Sequence, residues 1–254
     1  MSTRLSTSAA QSLQTVGYCR FQLHDDAGGL GRLQAAVDRL PQDPYAPTAN
    51  RARRYSNGVL LPWSRQIEWM PDRMGPHGAY SEYYQGDYNP EYMSMTRRLV
   101  PFEDELLADP FLHEVVWNDF DLTFWHEAQL VRPFVVGVHL VRLLVTNAGD
   151  VAISSPNHLH QDGEPFTFVH LVKRDNAVGC RTAVGVPACA GKMPEEVDAS
   201  CLHTQFELLT PLESYGVHDP KVAHYVSALE RGTEDRPGVR AALLTDFTPL
   251  VPLI

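Results

Sequence analysis

A chain of 254 residues, 44% of them hydrophobic, is long enough for one large domain or two small ones with ordinary cores. Its 21 basic and 31 acidic residues leave a formal charge of −10, which argues against nucleic acid or an anionic membrane as a partner; solubility accounts for the charge. The Ser/Thr-rich start lacks the apolar core of a secretory signal, and the longest apolar stretch, Phe134 to Val145, is broken by His139 and Arg142. Cys19, Cys180, Cys189 and Cys201 show no C-x-x-C spacing, so neither a structural zinc site nor a disulfide framework is expected. Together these features predict a cytoplasmic protein.

In chain order, residues 1–14 read as a frayed terminus. Gly17 to Leu23 alternates enough for a first strand, and Gly28 to Leu40 places Leu30, Leu33, Ala36, Val37 and Leu40 on one helical face, ended by Pro41. From Gln42 to Pro101 the chain reads as irregular. It carries Trp63, Trp69, Tyr80, Tyr83, Tyr84, Tyr88 and Tyr92, which suit either a lid over a site or anchors against the core. Glu103 to Val116 suggests helical segments interrupted at Pro110. After Pro133, the segments 134–146, 165–173, 180–187, 203–210 and 238–247 are short, β-branched and bounded by Gly, Pro, Asn and Asp. That spacing predicts a two-sheet antiparallel sandwich or barrel. The expected class is α+β: a double-stranded β-helix (jelly-roll) core over 131–254, with 1–130 as helical and loop support in one domain spanning 1–254.

The stretch with most chemical content is Asn157-His158-Leu159-His160-Gln161-Asp162-Gly163. His160 and Asp162 are two residues apart, so an extended backbone points both side chains to one face. A surface turn closed by Asp-Gly is the competing reading. Far downstream comes His224, which alone would pass for a surface histidine, and then Arg240 within the apolar run Val239 to Leu244. Two histidines and one carboxylate cover one triangular side of an octahedral ion and leave the other open, as non-haem Fe(II) oxygenases require. His158 would face the same side as His160, either as a rival ligand or as a supporting residue; a carboxylate is needed to neutralise the ion, which favours support.

The order H-x-D, distant His, then Arg in an apolar strand resembles the ligand pattern of 2-oxoglutarate-dependent Fe(II) dioxygenases. The runs Val138-His139-Leu140-Val141-Arg142, His160-Gln161-Asp162-Gly163, Gly179-Cys180-Arg181-Thr182 and Arg240 to Phe247 resemble, more narrowly, the bacterial isoleucine 4-hydroxylase type, which acts on free amino acids. The likeness spans roughly residues 130–250, with a fainter echo at Asp43-Pro44-Tyr45 and Arg53-Arg54-Tyr55. There are departures: Gln161 stands where the family usually has a basic residue, Gly179-Cys180-Arg181-Thr182 replaces a Gly-Gly-Glu-Thr turn, and His218 takes a place often held by an acid.

The resemblance implies Fe(II) held by His160, Asp162 and His224, with 2-oxoglutarate as co-substrate, O2 as oxidant and ascorbate as an aid in vitro. It implies succinate and CO2 as co-products of C–H hydroxylation. Asp162, where halogenating relatives have a small residue, favours hydroxylation over halogenation. A buried guanidinium needs a partner. For Arg240 the far carboxylate of 2-oxoglutarate is one candidate and an internal Asp or Glu the other; Thr182 is a further co-substrate contact by its place in the family turn. An amino-acid substrate needs partners for its carboxylate and ammonium. Arg142 is a candidate for the first and Glu164 for the second, with Arg54 and Tyr55 as candidates from the N-terminal loop; a purely structural role is the competing reading for each. Other outcomes of the same centre are desaturation, ring closure or epimerisation. A non-catalytic cupin-like module and a zinc hydrolase rank lower, the latter because no H-E-x-x-H motif is present. The family's setting suggests secondary metabolism, while oligomeric state leaves no mark in the sequence.

Overall fold

The described part of the chain begins in a helix: a computed structural model describes residues 7–89, 91–154 and 156–250, and its first element is helix α1, Thr7–Val16. The expectation of a frayed start is therefore corrected for residues 7–14, while 1–6 lie outside the described residues. Ala9 and Leu13 of α1 are buried, so docking overrides a polar, weakly helical composition. Strand β1 (Tyr18–Gln22) and helix α2 (Gly29–Val37) follow as expected.

The stretch read as irregular contains five β-strands. It holds β2 (Arg51–Leu61), β3 (Gln66–Trp69), β4 (Arg73–Gly75), β5 (Gly78–Tyr83) and β6 (Arg97–Leu99). Helices α3 (Asp104–Leu107) and α4 (Pro110–Leu122) come next, and α5 (Glu127–Leu130) is a single turn. Pro110 starts α4 rather than merely interrupting a helix: its missing N–H costs nothing at the first position, and the Asp109 carboxylate accepts from the Phe111 N–H.

The second half supplies β7 (Phe134–Val145), β8 (Val151–Ala152), β9 (Phe166–Asp175), β10 (Ala177–Gly179), β11 (Thr182–Gly185), β12 (Leu202–Phe206), β13 (Glu213–His218), β14 (Ala223–Val226), β15 (Leu229–Arg231) and β16 (Gly238–Pro249). One seven-stranded sheet runs β1-β13-β9-β16-β7-β2-β3, and β12-β11-β14, β10-β15-β8 and β4-β5-β6 form smaller sheets. Three strands of the main sheet thus come from before residue 131. Among the described residues no helix is long and apolar enough to cross a membrane.

The main sheet has two unlike faces. Phe134, Val136, Val138 and Leu140 of β7 join Ala241, Leu243 and Phe247 of β16 and Phe166 and Phe168 of β9 in a core shared with α1, α2 and α4. The alternate residues line a cavity on the opposite face: His139, Val141 and Leu143 from β7, with Arg240, Ala242, Leu244 and Asp246 from β16. Antiparallel register sets Leu143 opposite Arg240, Val141 opposite Ala242, His139 opposite Leu244 and Gly137 opposite Asp246. A cavity wall that sets His139, Arg240 and Asp246 among apolar side chains therefore stands directly behind the apolar core, one residue out of phase with it.

Candidate metal centre and substrate pocket

His160 and His224 form an isolated antiparallel bridge, each N–H donating to the other's carbonyl at 2.9 Å. A directly opposed pair shares one face, and the two rings lie with centroids 4.4 Å apart. Asp162 closes the triangle: its two carboxylate oxygens lie 3.5 Å from His160 Nε2 and 3.3 Å from His224 Nε2. One ligand atom from each residue falls within 4.8 Å of the others, which makes His160, Asp162 and His224 a group able to hold one ion. His160 Nδ1 donates to the His158 carbonyl at 2.8 Å, leaving the Nε2 lone pair for a metal. His158 supports the centre through its backbone; its ring is not in the cluster. Burial raises the Asp162 carboxyl, but the His224 and His160 imidazoles outweigh it and hold the group well below the usual carboxylate range.

A residue that sequence reasoning missed fastens this turn. The buried Asp219 carboxylate accepts from the Asp162 N–H at 2.7 Å and the Gly163 N–H at 3.0 Å. Gln161 Nε2 donates to the Asp219 carbonyl at 2.6 Å, so the departure at 161 is absorbed into the same clamp. The acid expected at 218 stands one residue later, in a turn that joins β13 to β14 and thereby to His224. Gly163 is required here: its φ is +90°, and a Cβ would lie 2.4 Å from the Tyr88 ring.

The triad opens into the cavity described above, whose walls also include Arg51, Arg53, Tyr83, Arg97 and Glu164. Arg240 is buried and in the cavity wall, with Nε and Nη2 lacking any hydrogen-bond partner; among the described residues no acid forms an ion pair with it. The Thr182 hydroxyl is equally buried, beside the Tyr215 phenol, on a residue paired with Val226 of the cavity wall. Glu164 lines the cavity, accepts from Tyr83 Oη at 3.3 Å through one oxygen and leaves the other buried and free of partners. Burial, then the Asp246 and Asp162 carboxylates, push it well above the ordinary range. Tyr55 backs the wall, its ring packed on Tyr83 and His139 with centroids 4.7 and 4.5 Å away.

Two expected substrate residues point elsewhere. Arg142 lies on the helix-covered face of β7, where Nη1 donates to the Val37 carbonyl at 3.1 Å and caps the end of α2. Arg54 also faces away, bound to the Pro101 carbonyl and, at 3.3 Å, to Glu103. The inward arginine of that pair is Arg53. The aromatic segment divides its roles: Trp69 anchors by donating to the Leu107 carbonyl, whereas Tyr83 and Tyr88 stand at the site.

A model of the 2OG-Fe dioxygenase family matches residues 34–246. The chain belongs to that family. L-isoleucine-4-hydroxylase of Bacillus thuringiensis is 30% identical over 225 residues, covering 85% of this chain and 82% of that protein. Among solved structures, IDO from Bacillus thuringiensis aligns with a TM-score of 0.73 and 22% identity over 99% of this chain and 98% of its own. A bsmA homolog from Methylobium petroleophilum PM1 gives 0.72 and 20% over 96% and 92%. These structural likenesses extend to the jelly-roll fold. The dioxygenase is thus an enzyme whose family uses Fe(II) and 2-oxoglutarate, with His160, Asp162 and His224 as its facial triad. The donor set suits ferrous iron, and the two orphaned nitrogens of Arg240 suit a carboxylate.

Three further polar residues of this dioxygenase escaped sequence reasoning. His139 Nδ1 meets Arg53 Nη2 at 2.5 Å and its Nε2 meets Asp246 Oδ2 at 3.2 Å. Burial lowers the imidazole from 6.5 to about 4, against the opposing pull of Asp246. The unfolded chain therefore takes up this proton first on acidification. The stabilisation is complete above about pH 6.5 and is lost as pH falls from there to about 4, a contribution of up to about 3 kcal/mol. Urea midpoints measured across that window should fall less for His139→Gln than for the parent. Parallel falls would contradict a neutral buried imidazole.

Proposed function

We propose that this dioxygenase hydroxylates an unactivated C–H bond of a free L-α-amino acid, in the cytoplasm and in secondary metabolism. The observation that carries the substrate class is the pairing of opposite orphans in one cavity. Arg53 Nε is a buried donor without a partner and Glu164 Oε2 a buried acceptor without one. A zwitterion would satisfy both, its carboxylate on Arg53 and Arg97 and its ammonium on Glu164 and Asp246. Arg51 is already committed to Asp43 at 2.9 Å. The named relative, an amino acid hydroxylase, supports the same class. All four cysteines are free thiols, in keeping with a reducing compartment.

In this reading His160, Asp162 and His224 hold the iron, Arg240 holds the far carboxylate of 2-oxoglutarate, and Thr182 adds a hydroxyl beside it. Iron and co-substrate, when bound with O2, supply the oxidising power for C–H cleavage and release succinate and CO2. The chain's own work is to seat the co-substrate and to orient the amino acid by its two charges. Its apolar residues Val141, Leu143, Val169 and Ala242 keep the cavity dry.

The test is aerobic incubation with Fe(II), 2-oxoglutarate, ascorbate and each free amino acid in turn, with succinate and product mass recorded. Succinate above the substrate-free level, with a product heavier by one oxygen, is expected for one or a few apolar amino acids. A product lighter by two hydrogens would replace hydroxylation by desaturation, and no stimulation by any amino acid would refute the substrate class. For the responsive amino acid, Arg53→Ala should raise KM by about 10- to 150-fold, the loss of a charge-assisted hydrogen bond. Arg54→Ala should leave KM unchanged, because its guanidinium serves Pro101 and Glu103. Equal effects would mean that the inward and outward arginines have been exchanged.

A further inference from the structure

We propose that His139, hydrogen-bonded between Arg53 and Asp246, is a positioning residue that joins the cationic and anionic sides of the pocket into one clamp for an α-amino acid. The inference rests on the substrate class proposed above and adds how its two charges are read together.

The bonding fixes the tautomer. A guanidinium donates and has no acceptor, so His139 Nδ1 must accept from Arg53. The ring proton is then on Nε2, where it is donated to Asp246 Oδ2. Only this neutral form satisfies both neighbours at once; a proton added at Nδ1 would set two donors against each other. The ring cannot turn away, because Tyr55 and Tyr83 pack on it with centroids 4.5 and 4.7 Å distant.

Strand order explains the placement. β7 lies between β2, which carries Arg53, and β16, which carries Asp246. His139 is opposite Tyr55 on one side and Leu244 on the other, so Arg53 and Asp246 are both its diagonal neighbours. Asp246 reaches inward because its direct partner is Gly137, where a Cβ would lie 2.3 Å from Asp246 Oδ2. A single central imidazole thereby sets the spacing of a cation on one flanking strand and an anion on the other. Arg53 keeps an unpartnered Nε and Glu164 an unpartnered oxygen for a ligand. Without His139, each charged residue would be free to relax independently.

A clamp of this kind responds as a unit. The intact protein should bind the amino acid far better than its 2-hydroxy acid analogue, which lacks the ammonium, or its amide, which lacks the carboxylate. Loss of both charges should cost less than the sum of the separate losses. Breaking the clamp should weaken the amino acid and narrow its advantage over either analogue.

The experiment measures binding to the Mn(II)- and 2-oxoglutarate-loaded protein, which does not turn over. L-isoleucine is tried first, then the remaining free amino acids. His139→Phe should weaken the bound amino acid at least about tenfold, from the loss of two hydrogen bonds to charged groups. The 2-oxoglutarate and Mn(II) affinities should stay unchanged. His139→Gln, whose amide offers an oxygen to Arg53 and an N–H to Asp246, should recover most of the loss. If amino-acid binding is unchanged in His139→Phe, or if metal and co-substrate affinities fall with it, the clamp is refuted and the pocket reading stands. If the unaltered protein retains no amino acid, the pocket reading fails and the clamp fails with it. Independently of any substrate, imidazole 15N spectra at pH 7 should show His139 unprotonated at Nδ1; a protonated Nδ1 overturns the assignment.

Discussion

Replacing His224 by alanine is expected to abolish iron-dependent turnover of 2-oxoglutarate while the chain still folds. The structure separates the two effects. The bond between His160 and His224 that builds the centre runs through backbone N–H and carbonyl groups, which alanine keeps. The imidazole itself has no partner at Nδ1, so its removal strands no other buried group on that side. What is lost is one of three ligands, and with it the triangular face that holds the ion. Removing residues that merely support a ligand costs 10- to 100-fold in metal affinity, so losing the ligand should cost at least about a hundredfold. Mn(II) titration should show that fall, and succinate release should drop to the level without enzyme. Thermal unfolding of the metal-free variant should remain cooperative. Undiminished succinate release would remove His224 from the triad.

The contrast between what could and could not be read from the residues follows from burial. β7, β9 and β16 announce themselves because their core-facing positions are mostly Phe, Val and Leu, with His170 and Thr245 bonded to the buried Asp119 on the same face. The same apolar continuity hides which face is the site: Val141 and Leu143 line the cavity while Arg142, the charged residue between them, faces α2. β2 was concealed for the opposite reason. Its inward positions are Arg51, Arg53 and Tyr55, so the strand lacks the apolar alternation that marks a half-buried sheet, and its polar side is a pocket wall. Arg53 and Arg54 differ by one residue, which in a strand exchanges the two faces: Arg53 lines the cavity and Arg54 does not. His160 and Asp162 were legible because their two-residue spacing and the downstream histidine carry chemistry independent of register. Asp219 was not, since an acid before proline reads as an ordinary turn until the metal loop is seen donating two N–H groups to it.

Arg240→Ala should raise the 2-oxoglutarate requirement by about 10- to 150-fold and leave the amino-acid requirement nearly unchanged. The guanidinium is buried in the cavity wall, two of its nitrogens are unpartnered, and no acid among the described residues satisfies them. A buried unpaired cation is costly, so a chain that keeps one near the start of β16 is poised for an anion from outside. A charge-assisted hydrogen bond contributes about 1.5–3 kcal/mol, which sets the expected range. Arg240→Lys keeps the charge without the planar fork, and should fall between parent and alanine. The metal-free alanine variant should be no less stable than the parent, because deleting a group whose hydrogen bonds are unmade relieves a burial cost. The residues proposed for the substrate come from other elements of the cavity wall, Arg53 on β2 and Glu164 beyond the metal turn, which is why the two requirements should separate. Saturation curves for 2-oxoglutarate and for the amino acid, taken on parent and both variants, decide the matter. A parallel rise in both would mean that Arg240 shapes the whole cavity rather than holding the co-substrate's carboxylate.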